Sequence, residues 1–292
     1  MLEAVSAFKA YDIRGIAGVD ITTDFSRRLG SAIVEFTQAT SIAVGRDIRA
    51  SGESLKAALI QGIVESGCTV MDLGIVPTGV VYRSTVDMDV DSAIAITASH
   101  NPPEYNGFKI MHEGLPVAGG DLQRLKAIFE SPSQGKSNSP GTILSKSEYH
   151  HTVIDAIVQD VGPLSRRVRV AVDSANAVPG PFMVELCDKL GVDLVDLNCS
   201  WDHEGPAHPA DPTRPENMTQ LSDLVANSDC EFGIGVDGDG DRIGVVDENG
   251  DFIHPDRLIG IFANDVLADR KGDSSEEVRT ILFDVKCSMG IQ

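Results

Sequence analysis

The sequence lacks paired cysteines, an excess of basic residues and any long apolar run. Its 292 residues include five cysteines, an odd number with no C-x-x-C pair, so we predict neither a disulfide framework nor a thiolate zinc site. Acidic residues outnumber basic ones by 44 to 24, giving a formal net charge of −20. This balance argues against nucleic acid or an anionic membrane as a partner.

Two further absences concern targeting. No apolar stretch approaches the roughly 20 residues of a membrane span. No basic segment followed by an apolar run marks a signal peptide. We therefore expect a cytoplasmic protein, whereas the oligomeric state cannot be predicted from the sequence.

Short apolar runs alternate with helical patterns along the chain. Near-continuous apolar strands between amphipathic helices are typical of a sheet covered on both faces, which predicts an α/β fold with mixed, mostly parallel sheets. We predict strands at 41–44, 68–73, 92–97, 168–173, 192–197, 232–236 and 280–284, and helices at 55–63, 181–190, 216–227 and 258–267.

The pattern also suggests how the chain divides into domains. Residues 131–147 are rich in Ser, Pro and Gly, as expected for a boundary or an exposed crossover. A third unit begins near Asp251 with one helix and one strand, which cannot easily close a core. We predict a first domain at 1–147, a second at 148–250, and the incomplete start of a third at 251–292.

The segment 233–244 carries the strongest metal signal. Asp237, Asp239 and Asp241 alternate with glycines, which let the backbone turn tightly so that three carboxylates converge on one hard cation. Without a cation the carboxylates would repel one another. Three carboxylates leave room on Mg²⁺ for a phosphate oxygen. Arg242 could clamp that phosphate or simply pair with the aspartates.

Two other interpretations of this segment fail. A calcium loop of the EF-hand type would place Glu248 at its twelfth position, but its sixth position, which should be Gly, is Arg242, and the flanks are predicted strands. Gly233, Gly235 and Gly238 spell the dinucleotide pattern G-x-G-x-x-G, but a strand follows where that motif needs a helix.

A second loop, at 95–109, follows a predicted buried strand, and open α/β sheets bind ligands at such strand ends. It offers the hydroxyl of Ser99 with His100 beside it. Taken alone, a Ser-His pair is weak evidence, and a plain loop serine is the simpler interpretation. Neither G-x-S-x-G nor a P-loop occurs, so a serine that stores a phosphoryl group explains the acidic segment better than an acyl-transfer triad does.

Several separate motifs occur in the order found in the α-D-phosphohexomutases. The chain resembles this family, in particular its bacterial phosphomannomutase/phosphoglucomutase group, over nearly its whole length. The motifs are KAYDIRG at 9–15, GRD at 45–47, TASHNP at 97–102, YNGFK at 105–109, DPTRPEN at 211–217, DGDGDR at 237–242 and DVKC at 284–287.

The resemblance implies a role for each candidate residue. Ser99 would be the phosphoserine, and its phosphate would share Mg²⁺ with Asp237, Asp239 and Asp241. Arg242 would contact that phosphate. The remaining implied roles are proton transfer and charge neutralisation by Lys109 and His100 near Arg14, and contact with the sugar phosphate by Tyr11 and Lys286.

The resemblance also implies an activity, the interconversion of hexose 1-phosphate and 6-phosphate, of mannose or glucose or both. The implied cycle passes through a bisphosphorylated sugar, with hexose 1,6-bisphosphate as activator. It further implies that a fourth domain, which grips the distal phosphate, is absent, so we expect impaired turnover. The alternatives are a non-catalytic module that binds magnesium and phosphate, and a weak magnesium-dependent phosphatase.

Overall fold

The computed structural model describes residues 7–131, 137–203, 205–269, 280–283 and 287–288. The first of two sheets is built from the amino-terminal half of the chain and has seven strands. Its elements are β1 (Ile13–Ile16), α1 (Thr23–Thr37), β2 (Ser41–Arg46), α2 (Gly52–Glu65), β3 (Thr69–Ile75), α3 (Thr78–Asp87), β4 (Ser92–Ile96), β5 (Tyr105–His112), β6 (Leu115–Pro116), α4 (Gly119–Glu130) and β7 (Ile143–Ser145).

The strand order of this sheet is β1-β5-β4-β2-β3-β7, with β6 paired to β5. The strands β4, β2, β3 and β7 run parallel, whereas β5 is antiparallel to both β4 and β1. All five residues of β4 are buried, as expected for an apolar strand covered on both faces. The carboxyl end of β4 thus lies centrally in the sheet, where it presents the loop that begins at Thr97.

The second sheet has five strands in the order β12-β11-β10-β8-β9. β10, β8 and β9 are parallel, and β11 is antiparallel to β10 and β12. Its elements are α5 (Tyr149–Val161), β8 (Arg169–Asp173), α6 (Pro179–Leu190), β9 (Asp193–Leu197), a 3-10 helix (Pro215–Met218), α7 (Thr219–Ala226), β10 (Phe232–Val236), β11 (Ile243–Val246), β12 (Phe252–Ile253) and α8 (Pro255–Asp269).

The two sheets contact each other through α5. Tyr149 and Val153 on this helix pack in one apolar cluster with Val80 and Val81 of α3. The hydroxyl of Tyr149 also donates a hydrogen bond to Asp87 Oδ2 at 2.8 Å. The loops that follow β4 and β10 are also in contact with each other.

The predicted α/β class with mixed sheets is confirmed. The segment 131–147 also contributes an edge strand, β7, to the first sheet. The helix predicted at 216–227 begins as a 3-10 turn before α7. The strand predicted at 280–284 is wrong for residues 280–283, which have no regular secondary structure. None of the helices in the described ranges combines the length and apolar character needed to cross a bilayer.

Candidate functional site

The serine loop joins β4 to β5 and holds Ser99 in a strained conformation. Ser99 has φ +54°, in the left-handed region that costs a non-glycine residue about 1–2 kcal/mol. The hydroxyl of Thr97 accepts a hydrogen bond from the Ser99 N–H at 2.9 Å. Such strain persists only where the surroundings fix the backbone, and it is typical of functional sites.

Arg49, which was not among the residues predicted from the sequence, makes contacts that fix this loop. The guanidinium of Arg49 donates a hydrogen bond to the buried carboxylate of Asp47 at 3.1 Å. Its hydrogen bonds to the loop, at 2.6–3.0 Å, go to the backbone carbonyls of Ser99, Asn101, Pro102 and Tyr105. The available signal was its place two residues after the GRD motif.

The acidic loop joins β10 to β11, and hydrogen bonds to the carboxylate of Asp237 hold its backbone. Oδ1 of Asp237 accepts hydrogen bonds from the N–H groups of Asp241 and Arg242, at 2.9 and 3.0 Å. Gly240 has φ +78°, which a residue with a side chain rarely adopts. As a result, one oxygen each of Asp237, Asp239 and Asp241 lies within 4.8 Å of the other two.

The serine and acidic loops meet directly. Ser99 Oγ donates a hydrogen bond to Asp237 Oδ2 at 2.7 Å, although the two residues lie 138 positions apart. The loop backbones also touch, because a Cβ at Gly238 would lie 2.4 Å from the Ser99 carbonyl oxygen. Thr78, at the start of α3, donates to Asp239 Oδ2 at 2.6 Å. The hydroxyl and the aspartates therefore form one site between the two sheets.

The charges at this site are unbalanced in a way that suits a cation. Oδ1 of Asp239 is buried and has no hydrogen-bond partner among the described residues. Burial, together with the neighbouring carboxylates of Asp239 and Asp241, raises the pKa of Asp237. Lys109 donates to Asp239 at 2.7 Å and to Asp241 at 2.5 Å. Burial alone would lower the pKa of Lys109, but these carboxylates raise it above its ordinary value. Lys109 and the guanidinium of Arg242, which lies 3.9 Å from Asp241 Oδ1, are two cations against three carboxylates, which leaves room for further positive charge.

Two other catalytic candidates, His100 and Arg14, lie at the serine loop. His100 Nδ1 lies 3.3 Å from Ser99 Oγ. Burial and the charge of Arg242 lower the pKa of His100, which favours a neutral imidazole. Arg14 donates to Asn101 Oδ1 at 3.0 Å. The structure thus brings an imidazole and a guanidinium to the serine loop.

A cleft of about 580 Å³ opens in front of Asp241, the exposed member of the aspartate trio, whereas Ser99 and His100 line a separate cavity of about 610 Å³. Its walls include the five side chains of Tyr11, Arg14, Lys109, Asp241 and Arg242. Tyr11 is 82% exposed. The Arg242 guanidinium lies 3.9 Å from Asp241 Oδ1, so it pairs with the acidic loop while also facing the cleft. Lys286, the other predicted cleft residue, lies outside the described residues.

Comparison with known proteins identifies the family. The model for phosphoglucomutase/phosphomannomutase alpha/beta/alpha domain I matches residues 5–136, and the model for domain II matches residues 148–250. The chain belongs to the phosphoglucomutase/phosphomannomutase family. A phosphoglucomutase of Neisseria meningitidis is 38% identical over 285 residues, 96% of this chain. A phosphomannomutase/phosphoglucomutase of Pseudomonas aeruginosa is 38% identical over 287 residues, 97% of this chain.

A solved phosphoglucomutase/phosphomannomutase family protein from Burkholderia thailandensis has the same fold. It superimposes with a TM-score of 0.84 at 37% identity and covers 91% of this chain. The match takes in 60% of that solved chain. The chain likewise spans 60% of the length of the Neisseria and Pseudomonas relatives.

Proposed function

We propose that this chain carries the phosphoryl-transfer site of a phosphohexomutase, with Ser99 as the phosphoryl carrier. The enzyme would interconvert the 1-phosphate and 6-phosphate of mannose or glucose or both. The single observation that carries the proposal is the 2.7 Å contact between Ser99 Oγ and Asp237 Oδ2. This contact places a strained, buried serine hydroxyl beside a cluster of carboxylates, one of which, Asp241, lines a cleft together with basic side chains.

The aspartate trio fits Mg²⁺. All the candidate ligands are oxygens, which this cation prefers, and the unpartnered Asp239 Oδ1 is the kind of atom that a cation would satisfy. Asp237, Asp239 and Asp241 would hold the ion. When bound, it would offset the negative charge on the phosphoryl oxygens of phospho-Ser99.

The residues around the hydroxyl suit transfer in both directions. When Ser99 is loaded from hexose 1,6-bisphosphate, the Oγ–P bond forms and a sugar O–P bond breaks. The Ser99 hydroxyl, which donates to Asp237 Oδ2 in the structure, turns and passes its proton to the neutral imidazole of His100, 3.3 Å away, and the freed sugar oxygen takes a proton from Lys109 or solvent. In the reverse step, a hydroxyl of the hexose monophosphate attacks phospho-Ser99, so that a sugar O–P bond forms and the Oγ–P bond breaks. The sugar proton passes to solvent or to Lys109, and the protonated imidazole of His100 returns a proton to Ser99 Oγ.

The cleft suits a hexose phosphate in spite of the net charge of −20. Arg14, Lys109 and Arg242 line it together and supply the local positive charge that a phosphate needs. The acidic protein as a whole repels anions, so this local charge must act at short range. A cytoplasmic location, where sugar phosphates occur, is part of the proposal.

Intact-mass spectrometry tests the carrier residue. The purified chain, incubated with hexose 1,6-bisphosphate and Mg²⁺, should gain one phosphoryl mass that phosphatase removes. Ser99→Ala should gain none, whereas Ser54→Ala, on an exposed face of α2, should behave as the wild type does. Equal labelling of Ser99→Ala would refute the proposal. Release of inorganic phosphate without any phosphoprotein would instead favour the phosphatase alternative.

A further inference from the structure

A second cluster of metal-ligating side chains lies where the chain enters the second sheet. His150 and His151 are at the start of α5, and Glu185 faces them from α6. One candidate ligand atom from each of the three lies within 4.8 Å of the other two. All three side chains are partly exposed, so a dissolved ion can reach them. None of them lines the cleft in front of Asp241.

Hydrogen bonds set which nitrogen of each ring is available. His150 Nδ1 lies 2.8 Å from the Ser147 carbonyl oxygen. A carbonyl only accepts, so Nδ1 carries the proton and Nε2 keeps a free lone pair. His151 Nε2 lies 3.2 Å from the Glu148 carboxylate, and its Nδ1 faces Glu185 Oε1 at 2.7 Å. Metal-bound histidines usually have an outer partner of this kind on the second nitrogen.

The imidazole rings of His150 and His151 also lie close together. Consecutive residues on a helix ordinarily point about 100° apart, yet these two imidazole rings have centroids 3.9 Å apart. Lys189 would compete with a metal ion for Glu185, since its Nζ lies 3.1 Å from Glu185 Oε1. It also has Asp155 as a partner at 2.6 Å, so it can release Glu185 and stay paired.

We propose that His150, His151 and Glu185 form a binding site for Zn²⁺, separate from the aspartate trio. Two imidazole nitrogens and one carboxylate oxygen are a donor set that zinc accepts, with water as the fourth ligand, whereas Mg²⁺ prefers oxygens alone. The ion replaces the proton between His151 Nδ1 and Glu185.

The bound ion ties the start of α5 to α6. The residue before the histidines, Tyr149, anchors the same turn of α5 to Asp87 in the first domain. Zinc therefore stiffens the crossing between the two sheets and raises the thermal unfolding temperature of the chain. This effect does not depend on the proposed phosphoryl transfer.

Zinc titration of the untagged chain by calorimetry, in excess Mg²⁺, tests the site. His150→Gln and Glu185→Gln should each weaken zinc binding at least about tenfold, the lower end of what loss of an outer-shell partner alone costs. Asp239→Asn should retain the site. His254→Gln, an exposed histidine outside the cluster, should bind as the wild type does.

Cobalt gives an independent measurement. Co²⁺ added to the wild type and to Asp239→Asn should give the visible absorption of a four-coordinate ion, and His150→Gln should lose it. The proposal is overturned if the wild type binds no zinc, if both cluster variants bind it unchanged, or if Asp239→Asn abolishes the tight site. Circular dichroism of each variant distinguishes a lost ligand from a lost fold.

Discussion

Replacing Arg49 tests how the serine loop is held. In Arg49→Met, four backbone carbonyls of the loop lose their donor and the buried Asp47 loses its cationic partner. The side chain of Arg49 is 11% exposed and that of Asp47 is 3% exposed, so water can replace few of the lost hydrogen bonds. A single hydrogen bond to a charged group contributes about 1.5–3 kcal/mol. Breaking a buried ion pair costs about 3–5 kcal/mol.

Because these contributions overlap, we expect Arg49→Met to lower the free energy of unfolding by about 3–5 kcal/mol. Arg49→Lys keeps the charge near Asp47 but cannot span all four carbonyls, so its loss should be intermediate. Urea unfolding measures both, with Arg166→Met as the control, because the contacts of Arg166 with Glu231 and with the Arg167 carbonyl are exposed to solvent.

The same variants have a functional readout. Under conditions where Arg49→Lys stays folded, a displaced loop should slow phosphorylation of Ser99 from hexose 1,6-bisphosphate relative to wild type. The reasoning is refuted if Arg49→Met unfolds at the same urea concentration as Arg166→Met and Ser99 is loaded at the wild-type rate.

Three further outcomes are expected. Gly238→Ala should lower the calorimetric unfolding free energy by about 1–3 kcal/mol, because its Cβ would meet a serine-loop carbonyl at 2.4 Å, whereas Gly79→Ala, with nothing within 4 Å, should be tolerated. Asp239→Asn should weaken Mn²⁺ binding at least about tenfold in a paramagnetic resonance titration, since loss of an outer-shell partner alone costs that much, and Glu248→Gln should not; an equal loss in both would favour the calcium-loop interpretation. The hydrogen bond that His208 Nε2 donates to the buried carboxylate of Asp173 raises the pKa of His208 above 6.5, so its stabilising effect is full below that pH and is lost as the pH rises through the raised value. In urea unfolding, the wild type should be more stable than His208→Gln at low pH, and this difference should shrink as the pH rises. A difference independent of pH would contradict this.

Short apolar runs of the sequence predicted six strands of the two sheets, which are β2, β3, β4, β8, β9 and β10. The strands β1, β6, β7 and β12 were not predicted, since none is longer than four residues. The five residues of β4 are all buried, as expected for a continuous apolar run in a strand that is covered on both faces. The strand predicted at 280–284 failed over 280–283, since a short apolar run does not by itself supply strands to pair with. The domain boundaries remain predictions.

The candidate site was only partly accessible from the sequence. Each loop could be placed at a strand end, and the Asp-Gly alternation indicated a metal. The contact between Ser99 and Asp237 depends on how the two sheets pack, because the two residues lie 138 positions apart in the chain. Only the family resemblance anticipated this contact. Arg49 was missed because its partners are main-chain carbonyls some 50 positions away, which have no signature in side-chain identity.

The most direct test of the account asks whether a serine phosphate lies beside the cation. Phosphorus NMR of the chain phosphorylated at Ser99 should show one phosphoserine resonance, and stoichiometric Mn²⁺ should broaden it strongly. In phosphorylated Asp239→Asn, the same amount of Mn²⁺ should broaden it far less. A phosphoserine resonance that Mn²⁺ leaves sharp in the wild type would contradict the central claim.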